Sequence, residues 1–588
     1  MPPGGPAPAA EPHRPSSLRR VATGIVGVLA VLLGAFLVLR PFSSLRVLVL
    51  SIAAALIVSA VADLVKPLGV GGVRRVQSLI WGCVRVATAL ALLLWPAPGL
   101  GVIVLLAALS LAGNGILDGV AGFQQRGVRR WTLLFLGAAS VLVALLAFAW
   151  PELALLVIAA TFGVRLILLG VGALTRAIRP RRLRSGPPSW LELTGSVAAL
   201  VGALLLVGVS LLLGRAFPEP GAFYSAPPTL PGEPGRLLRS EPFEREVPAG
   251  ARAWRILYTT TLADGSPATA SAIVVAPGGP RSSAPSPLIA WAHGTTGWAP
   301  KCAPSLLAQP FESGALFVLD QVVASGWSLV ATDYTGLGTP GPHPYLVGDP
   351  TARSVLDSVR AARELLGGGV AEQTVVWGHS QGGHAALWTG ALAAEYAPEL
   401  SLEGVAALAP ASNLADLVDV VGAITGGSVF AAYVAQAYTD IYQDVSFGRY
   451  IRPGARLLVR EMAHRCLSEP SSVMSLLGSL VLHQPIWGEE PSAGALADRL
   501  LQNSPTSPIA APLLLLQGAA DTLIRPEAQA AYVDARCAVG ERVDYREYEG
   551  LDHVGLVTAE SPAIAELFDW TRARFAGELS GSDTCQLE

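Results

Sequence analysis

The sequence predicts an all-α transmembrane bundle of about seven spans, followed by an α/β domain with a mostly parallel sheet and a helical cap. Of the 588 residues, 52% are hydrophobic and only 14% are charged, whereas a typical soluble domain carries about 25% charged residues. Long apolar runs occupy the first 215 residues, and strand-like and helical stretches alternate in the remainder. This composition excludes an intrinsically disordered chain and a fully soluble protein.

Charge divides the chain at the same place. Residues 1–215 contain 19 basic and 5 acidic residues, a net charge of +14, whereas residues 216–588 contain 22 and 39, a net charge of −17. Nucleic-acid binding needs cations that face phosphates, so the acidic second half argues against a nucleic-acid partner. The basic residues of the first half lie between apolar runs, which indicates membrane topology.

Seven apolar stretches have the length that spans a bilayer, because a helix of about 20 residues crosses a hydrocarbon core of about 30 Å. In lipid, such segments satisfy their backbone hydrogen bonds as helices. We expect a cytoplasmic tail over residues 1–20 and a transmembrane domain over residues 21–214. The predicted spans lie near 21–40, 44–62, 78–95, 100–121, 131–150, 153–175 and 191–213.

The first six spans repeat as three hairpins. Pro41, Pro96 and Pro151 stand at the turns, 55 residues apart both times, and a constant period indicates an internal repeat. The hairpins resemble the HdeD-like family of small bacterial membrane proteins over about residues 20–180, a resemblance that implies little chemistry. Arg165, near the middle of the sixth predicted span, is either a functional residue or one that packs and pairs helices.

Loop charges predict the orientation of the bundle. Fourteen of the 19 basic residues precede the first span or lie in the second, fourth and sixth loops. By the positive-inside rule these loops and the N-terminus are cytoplasmic. Seven crossings then place everything after residue 215 outside the cytoplasm, in a multi-pass protein of the cell membrane.

The composition changes at Arg215, where prolines begin to cluster. We expect a proline-rich linker or arm over residues 215–250 and a folded domain over 251–588. Apolar strands separated by helices predict a mostly parallel sheet covered on both faces, and residues 411–510 interrupt the alternation as a helical cap. The predicted strands are Trp254–Leu262, Ala268–Ala276, Leu288–Ala292, Ser328–Thr332, Thr374–Trp377, Gly404–Leu408, Leu513–Leu516 and Arg542–Tyr548.

A G-x-S-x-G motif, Gly378-His379-Ser380-Gln381-Gly382, marks the predicted chemistry. It follows a predicted strand and precedes a predicted helix, which is the context of the nucleophile elbow of α/β-hydrolases. Ser380 is therefore the predicted nucleophile. The helix N-terminus behind it favours a developing oxyanion.

A serine nucleophile needs a base, and the base needs a carboxylate that orients it. In α/β-hydrolases the chain order is Ser, Asp or Glu, His. Asp521 follows a buried strand, and His553 is the only histidine that follows Asp521. Asp521 could alternatively cap the helix that begins near residue 526, and Asp534 and Asp552 are competitors for the role of the acid.

The oxyanion hole requires two backbone N–H groups. One is expected from Gln381, directly after the nucleophile. The other is expected from the loop Trp291–Gly297, where Thr295 is favoured and Thr296 is the alternate. No cofactor is expected for this chemistry, and no residue spacing suggests a zinc site.

Residues 220–575 are similar to the secretory lipase family of α/β-hydrolases, known from yeasts and bacteria. The resemblance implies hydrolysis of acylglycerols or related esters through an acyl-enzyme, and a helical cap that shapes an acyl tunnel. Those enzymes are usually released, so the predicted membrane anchor favours lipids or esters at the cell envelope. The matching segments are Phe223–Pro228, His293–Gly297, Asp333–Gly341, Gly378–Gly383, Gly518–Asp521 and His553.

Four of the five cysteines lie in the exported half, and an even number in an oxidising compartment indicates disulfides. Four cysteines allow three sets of pairs. We favour Cys302–Cys466, which would tie the oxyanion loop to the cap, and Cys537–Cys585, which would hold the C-terminus. Cys83 lies in a predicted span.

Together these features predict a membrane-anchored, extracytoplasmic serine ester hydrolase of lipase or carboxylesterase type. Its expected partners are a lipid or other ester and the membrane. An acyltransferase would use the same triad with a different acceptor. A further hypothesis is a membrane sensor or transport subunit whose hydrolase fold only binds, but the complete set of Ser380, Asp521 and His553 argues against it.

Overall fold

The computed structural model describes residues 17–39, 100–150, 189–213, 217–278, 285–422, 424–482, 485–578 and 583–586, with single positions between 50 and 93 and between 163 and 175. The chain divides into two compact units, residues 1–213 and residues 214–588. The described residues of the first unit are helical, and those of the second form one large sheet with helices around it.

Four helices of the first unit coincide with predicted spans. They are Ser17–Leu39, Leu100–Phe123, Val128–Ala149 and Ser189–Leu213. Two described stretches, Val128–Ala147 and Trp190–Leu213, are long and apolar enough to cross a membrane. The predicted spans 44–62, 78–95 and 153–175 lie partly outside the described residues, and Pro41, Pro96, Pro151 and Arg165 lie entirely outside them.

Helices of the first unit approach one another closely at glycines. A Cβ added at Gly137 would lie 2.6 Å from the carbonyl oxygen of Gly115, and one added at Gly163 would lie 2.7 Å from that of Gly34. Small residues at such positions let helix backbones come into contact, which is common in membrane bundles.

Nine described strands of the second unit form one sheet in the order β1-β2-β3-β5-β4-β6-β7-β8-β9. The ladders from β5 through β9 are parallel, and those joining β1, β2, β3 and β5 are antiparallel. The mostly parallel sheet is therefore confirmed. The strands are β1 Leu237–Phe243, β2 Ala251–Thr261, β3 Pro267–Pro277, β4 Ser286–Ala292, β5 Ser328–Thr332, β6 Val370–His379, β7 Ser401–Leu408, β8 Leu513–Gly518 and β9 Val543–Tyr548.

Helices accompany the sheet between its parallel strands, and all six residues of β8 are buried. Five helices belong to the sheet layer and six to the region predicted as the cap. The first five are Leu319–Ala324, Gly348–Leu366, Gln381–Tyr396, Pro526–Ala538 and Pro562–Phe575. The other six are Leu414–Val421, Gly427–Ile441, Phe447–Tyr450, Arg456–Ala463, Ser472–Val481 and Gly494–Gln502.

The proline-rich segment 215–250 contributes more than a linker. It contains the edge strand β1 and the buried Tyr224, whose hydroxyl lies 2.7 Å from Ser305 Oγ. Pro242 is compatible with β1 because an edge strand has an unpaired side where a missing N–H costs nothing. Because prolines cluster in this segment, the sequence pattern did not predict the strand.

Both favoured disulfides are present. Cys302 and Cys466 lie with their Cα atoms 5.3 Å apart, and Cys537 and Cys585 with theirs 5.1 Å apart. The first joins the loop after β4 to the cap, and the second joins the helix Pro526–Ala538 to the C-terminus.

Candidate active site

Four strands bring the predicted site residues to one edge of the sheet. The strands β4, β6, β8 and β9 run parallel, so the loops at their carboxyl ends lie on the same side. Thr295 follows β4, Ser380 follows β6, Asp521 follows β8 and His553 follows β9.

The turn at Ser380 is strained and depends on two glycines. Ser380 has φ 58° and ψ −117°, a conformation that residues with a side chain rarely adopt. A Cβ at Gly378 would lie 2.0 Å from the carbonyl oxygen of Gly382, and one at Gly382 would lie 1.9 Å from that of Ala292. The glycines of the motif are therefore required by the close approach of β4, β6 and the helix that follows.

Asp521 and His553 are in direct contact. Oδ2 of Asp521 lies 2.6 Å from Nδ1 of His553, and the Asp521 carboxylate is fully buried while the imidazole is 16% exposed. The other oxygen, Oδ1, accepts the backbone N–H groups of Leu523 and Ile524 at 2.8 and 2.9 Å. Asp521 therefore orients the imidazole and also shapes the loop beside it.

The competing carboxylates lie elsewhere. Oδ1 of the exposed Asp552 accepts the N–H of Gly555 at 2.7 Å. Asp534 lies within the helix Pro526–Ala538 and is exposed. Asp521 does not cap that helix, whose N-cap is Arg525.

His379 contacts His553, which the sequence did not indicate. Its ring centroid lies 4.6 Å from that of His553, and its Nε2 lies 2.9 Å from the His553 carbonyl oxygen. Because a carbonyl only accepts, Nε2 carries the proton. Burial, and secondarily His553, lower the pKa of His379 well below its usual value, so the ring is neutral and holds the backbone of His553 beside the elbow.

Thr295, Ser380 and Gln381 line one cavity of about 20 Å³, which has room for about one water molecule. Leu417 and Phe430 of the cap close it. No hydrogen bond joins the Ser380 hydroxyl to the His553 imidazole in the described part of the chain. Such contacts are often long in enzymes without substrate.

The expected oxyanion donors are available. Among the described residues, nothing accepts the backbone N–H of Thr295 or that of Gln381, and the latter begins the helix Gln381–Tyr396, where such groups have no partner within the helix. The carbonyl of the alternate, Thr296, accepts the N–H of Leu467 in the cap at 2.8 Å, and its hydroxyl donates to the Cys302 carbonyl at 2.8 Å. Thr296 is thus engaged in joining the loop to the cap.

The Gln381 side chain is held by a buried histidine. Nδ1 of His343 lies 3.2 Å from the Thr335 carbonyl, so that nitrogen donates and Nε2 accepts from the Gln381 amide at 3.2 Å. Burial lowers the pKa of His343 to about 3, which keeps the ring neutral. The Thr295 hydroxyl pairs likewise with Tyr345 OH at 2.9 Å.

Phe430 lies between the cavity at Ser380 and a second one. It lines both the cavity of about 20 Å³ and another of about 200 Å³ inside the cap. The second cavity also contacts Tyr433, Leu467 and Leu476. The phenyl ring is the side chain that the two cavities share.

The family comparisons agree with this architecture. The model named "Secretory lipase" matches residues 312–583. The model named "Short repeat of unknown function" matches residues 25–93, 80–148 and 135–207. The starts of these three matches are offset by 55 residues, which confirms the internal repeat, while the resemblance to HdeD-like proteins stays a prediction.

Similar proteins include lipases. A probable inactive lipase of Mycobacterium tuberculosis is 26% identical over 59% of this chain and 79% of its own length. Lipase 6 of Candida albicans is 26% identical over 61% of this chain and 82% of its own length. The X-ray structure of Candida antarctica lipase A superposes with a TM-score of 0.54 at 20% identity, covering 63% of this chain and 89% of that one.

These comparisons support a lipase-like hydrolase with an α/β-hydrolase-like domain in the C-terminal half. The structural similarity concerns the fold alone. One relative is named inactive, so the catalytic competence of this chain depends on its own residues.

Proposed function

We propose that this protein is a membrane-anchored serine ester hydrolase that acts on acylglycerols or related lipid esters outside the cytoplasm. The observation that carries the proposal is the 2.6 Å contact between Asp521 and His553 beside a strained serine turn. Ser380 lines one cavity with both expected oxyanion donors. This combination of base, orienting acid and oxyanion site is the arrangement that acyl transfer requires.

The reaction follows from these positions. Ser380 Oγ attacks the ester carbonyl, and Nε2 of His553 takes its proton after rotation of the serine side chain brings the two within reach. The buried Asp521 carboxylate stabilises the imidazolium, while the N–H groups of Gln381 and Thr295 bind the oxyanion. His553 then protonates the leaving alkoxide, and water repeats the attack on the acyl-enzyme.

The cap sets access to this site. A cavity of about 20 Å³ cannot hold an ester substrate, so the cap must move or Phe430 must rotate before binding. Rotation of Phe430 would join the catalytic cavity to the one of about 200 Å³, giving an aliphatic acyl chain an apolar path. A glyceride or other lipid ester fits that path better than a short polar ester.

Membrane anchoring is supported by the first unit. Leu205 and Leu211 on the helix Ser189–Leu213 are 65% and 71% exposed, and a long apolar face in water is unfavourable unless lipid covers it. By the positive-inside rule, the loop charges favour a cytoplasmic N-terminus. The name of the matching lipase family and the two disulfides both favour an oxidising, extracytoplasmic location for the second unit.

The decisive experiment is Ser380→Ala in the full chain, assayed with a series of p-nitrophenyl esters and acylglycerols. We expect kcat to fall by at least about 10³-fold, because removal of a catalytic nucleophile has an effect of that size or larger. Unchanged hydrolysis would refute the assignment. Protease accessibility of the second unit in intact cells or spheroplasts tests its location.

A non-catalytic binding module is the second candidate. The relative named as an inactive lipase and the nearly filled cavity at Ser380 favour it. A fluorophosphonate probe separates the two proposals, because only an activated serine reacts with it. Labelling that disappears in Ser380→Ala supports the hydrolase, and an unlabelled native chain supports the binding module.

A further inference from the structure

A large cleft lies on the second unit, away from Ser380. It has a volume of about 680 Å³, within the range of roughly 300–1,000 Å³ typical of small-molecule sites. We call it the side cleft and define it by Leu230 of the arm 215–250, Leu262 of the β2–β3 turn, Val347, Trp388 and Ile441. These side chains give it a predominantly apolar lining.

The side cleft is separate from the catalytic cavity, because the two share no lining residue. Trp388 lies on the helix that begins after the nucleophile, and Ile441 ends a cap helix. The cleft therefore lies where arm, sheet, nucleophile helix and cap come together. The proposed hydrolysis leaves it without a role.

One polar group in the side cleft lacks a partner. Thr335 lines the cleft, is 2% exposed, and its hydroxyl makes no hydrogen bond with any described residue. A buried hydroxyl without a hydrogen-bond partner is unfavourable. The oxygen itself has almost no accessible surface, so rotation of the Thr335 side chain must first turn it towards the cleft, where a ligand hydroxyl or carbonyl would then supply the missing hydrogen bond.

The charged side chains around the side cleft indicate which head group an amphiphilic ligand would carry. Asp264, Asp349 and Asp440 line it, and of these only Asp349 has an ion-pair partner among the described residues, Arg353 at 2.6 Å. Within the ranges that the structure describes, Asp264 and Asp440 accept hydrogen bonds only from the neutral groups of Ser266 and Gln436, so no ion pair neutralises their charge, which disfavours a fatty-acid anion. The Tyr442 ring also lines the cleft and could bind a cationic head by a cation–π contact. The guanidinium of Arg499 already lies 4.7 Å from its centroid, so a cationic head gains less there.

We propose that the side cleft binds an uncharged amphiphile, an aliphatic alcohol or partial glyceride whose hydroxyl pairs with Thr335. Hydrogen bonds connect the side cleft to the proposed catalytic site. The carbonyl of Thr335 holds His343, and His343 holds the side chain of Gln381. The ligand therefore contacts a residue two hydrogen bonds from a proposed oxyanion donor.

The test uses the full chain carrying Ser380→Ala in lipid nanodiscs, so that binding is read without hydrolysis. Three photoactivatable decyl probes differ only in the head group, which is a hydroxyl, a carboxylate or a trimethylammonium. Labelled peptides are mapped by mass spectrometry. We expect the hydroxyl probe to label residues 262–269 and 340–350 about fivefold more than either charged probe. A fivefold preference is about the effect on binding of one additional hydrogen bond.

Variants locate the binding. Ala226→Trp places a large side chain against the side cleft and should lower labelling about tenfold, whereas Ala222→Trp, also exposed on the arm but not lining the cleft, should not. Thr335→Val should lower it about fivefold while keeping the shape of the side chain. Equal labelling by the carboxylate or ammonium probe, or labelling that survives both Ala226→Trp and Thr335→Val, would overturn the proposal. None of these results depends on whether Ser380 is catalytic.

Discussion

Asp521→Asn tests the proposed triad most directly. The change keeps the size of the side chain and keeps Oδ1, which accepts the N–H groups of Leu523 and Ile524. The amide nitrogen then replaces Oδ2, the atom 2.6 Å from Nδ1 of His553. Two donors would meet there, so the imidazole must move its proton to Nε2, where it can no longer accept one from Ser380.

The magnitude follows from that tautomer change and from the loss of a buried carboxylate that stabilises the imidazolium. The equivalent change in a serine protease lowers kcat about 10⁴-fold, which corresponds to roughly 5 kcal/mol of transition-state stabilisation. We expect a fall of 10³- to 10⁴-fold in kcat and little change in KM. The assay is steady-state hydrolysis of p-nitrophenyl esters, with thermal unfolding measured alongside.

The neighbouring Asp552 provides a matched control. Its carboxylate is exposed and contacts the Gly555 N–H instead of the base, so Asp552→Asn should change kcat less than about twofold. Activity within tenfold of the native value in Asp521→Asn, with the fold intact, would refute the triad. An equal loss in Asp552→Asn would refute the choice of acid.

Four further predictions concern the surroundings of the triad. His379→Phe keeps the ring but removes the N–H that holds the His553 carbonyl, and should lower kcat about tenfold without raising KM. Replacing Cys302 and Cys466 with Ala opens a loop with a sequence separation of 164 and should lower the free energy of unfolding by about 2–5 kcal/mol, measured by denaturant titration. Phe430→Ala should raise kcat/KM for dodecanoate esters relative to acetate esters, because it joins the two cavities. His343→Gln should flatten the pH dependence of unfolding. The folded-state pKa of His343 is lowered to about 3, so its contribution to stability is complete above the unfolded pKa near 6.5 and is lost as the pH falls from there towards 3.

Each of these has an outcome that contradicts it. An unchanged kcat in His379→Phe would show that His379 contributes only packing and does not position His553. Denaturation midpoints that do not shift without the first disulfide would show that the cap is held by packing alone. If Phe430→Ala leaves the chain-length preference unaltered, the second cavity is not part of the acyl path. An identical slope of unfolding free energy against pH in His343→Gln would mean that another group titrates.

The sheet and the Asp521–His553 pair were predictable because each has a local sequence signal. Apolar runs mark the buried strands, and the glycines of the elbow are explained by contacts under 2.1 Å that any Cβ would make. Chain order alone singled out His553 for the base. The pairing of Cys302 with Cys466, one of three possibilities, was also confirmed.

Other features depend on contacts between distant segments, which the sequence does not encode locally. The position of His379 before the nucleophile says nothing about its ring, which lies 4.6 Å from that of His553. The side cleft needs the arm, the β2–β3 turn and the cap at once. Strand β1 was missed because proline usually argues against a strand, although an edge position removes the conflict.

The contacts of the cap constrain how the cavity at Ser380 can open. Cys466 is bonded to Cys302, and the N–H of Leu467 donates to the Thr296 carbonyl next to the proposed oxyanion donor. Large displacement of the cap at this point would move the loop that carries Thr295, whose N–H must stay in place in the proposed mechanism. Opening is therefore expected at the helix Leu414–Val421, which supplies Leu417 to the cavity, because the helix Gly427–Ile441 is itself held to this point by the Tyr433 hydroxyl, 2.7 Å from the Arg465 carbonyl oxygen. The disulfide then acts as the fixed end of a moving cap, so that substrate can enter while the oxyanion loop keeps its geometry.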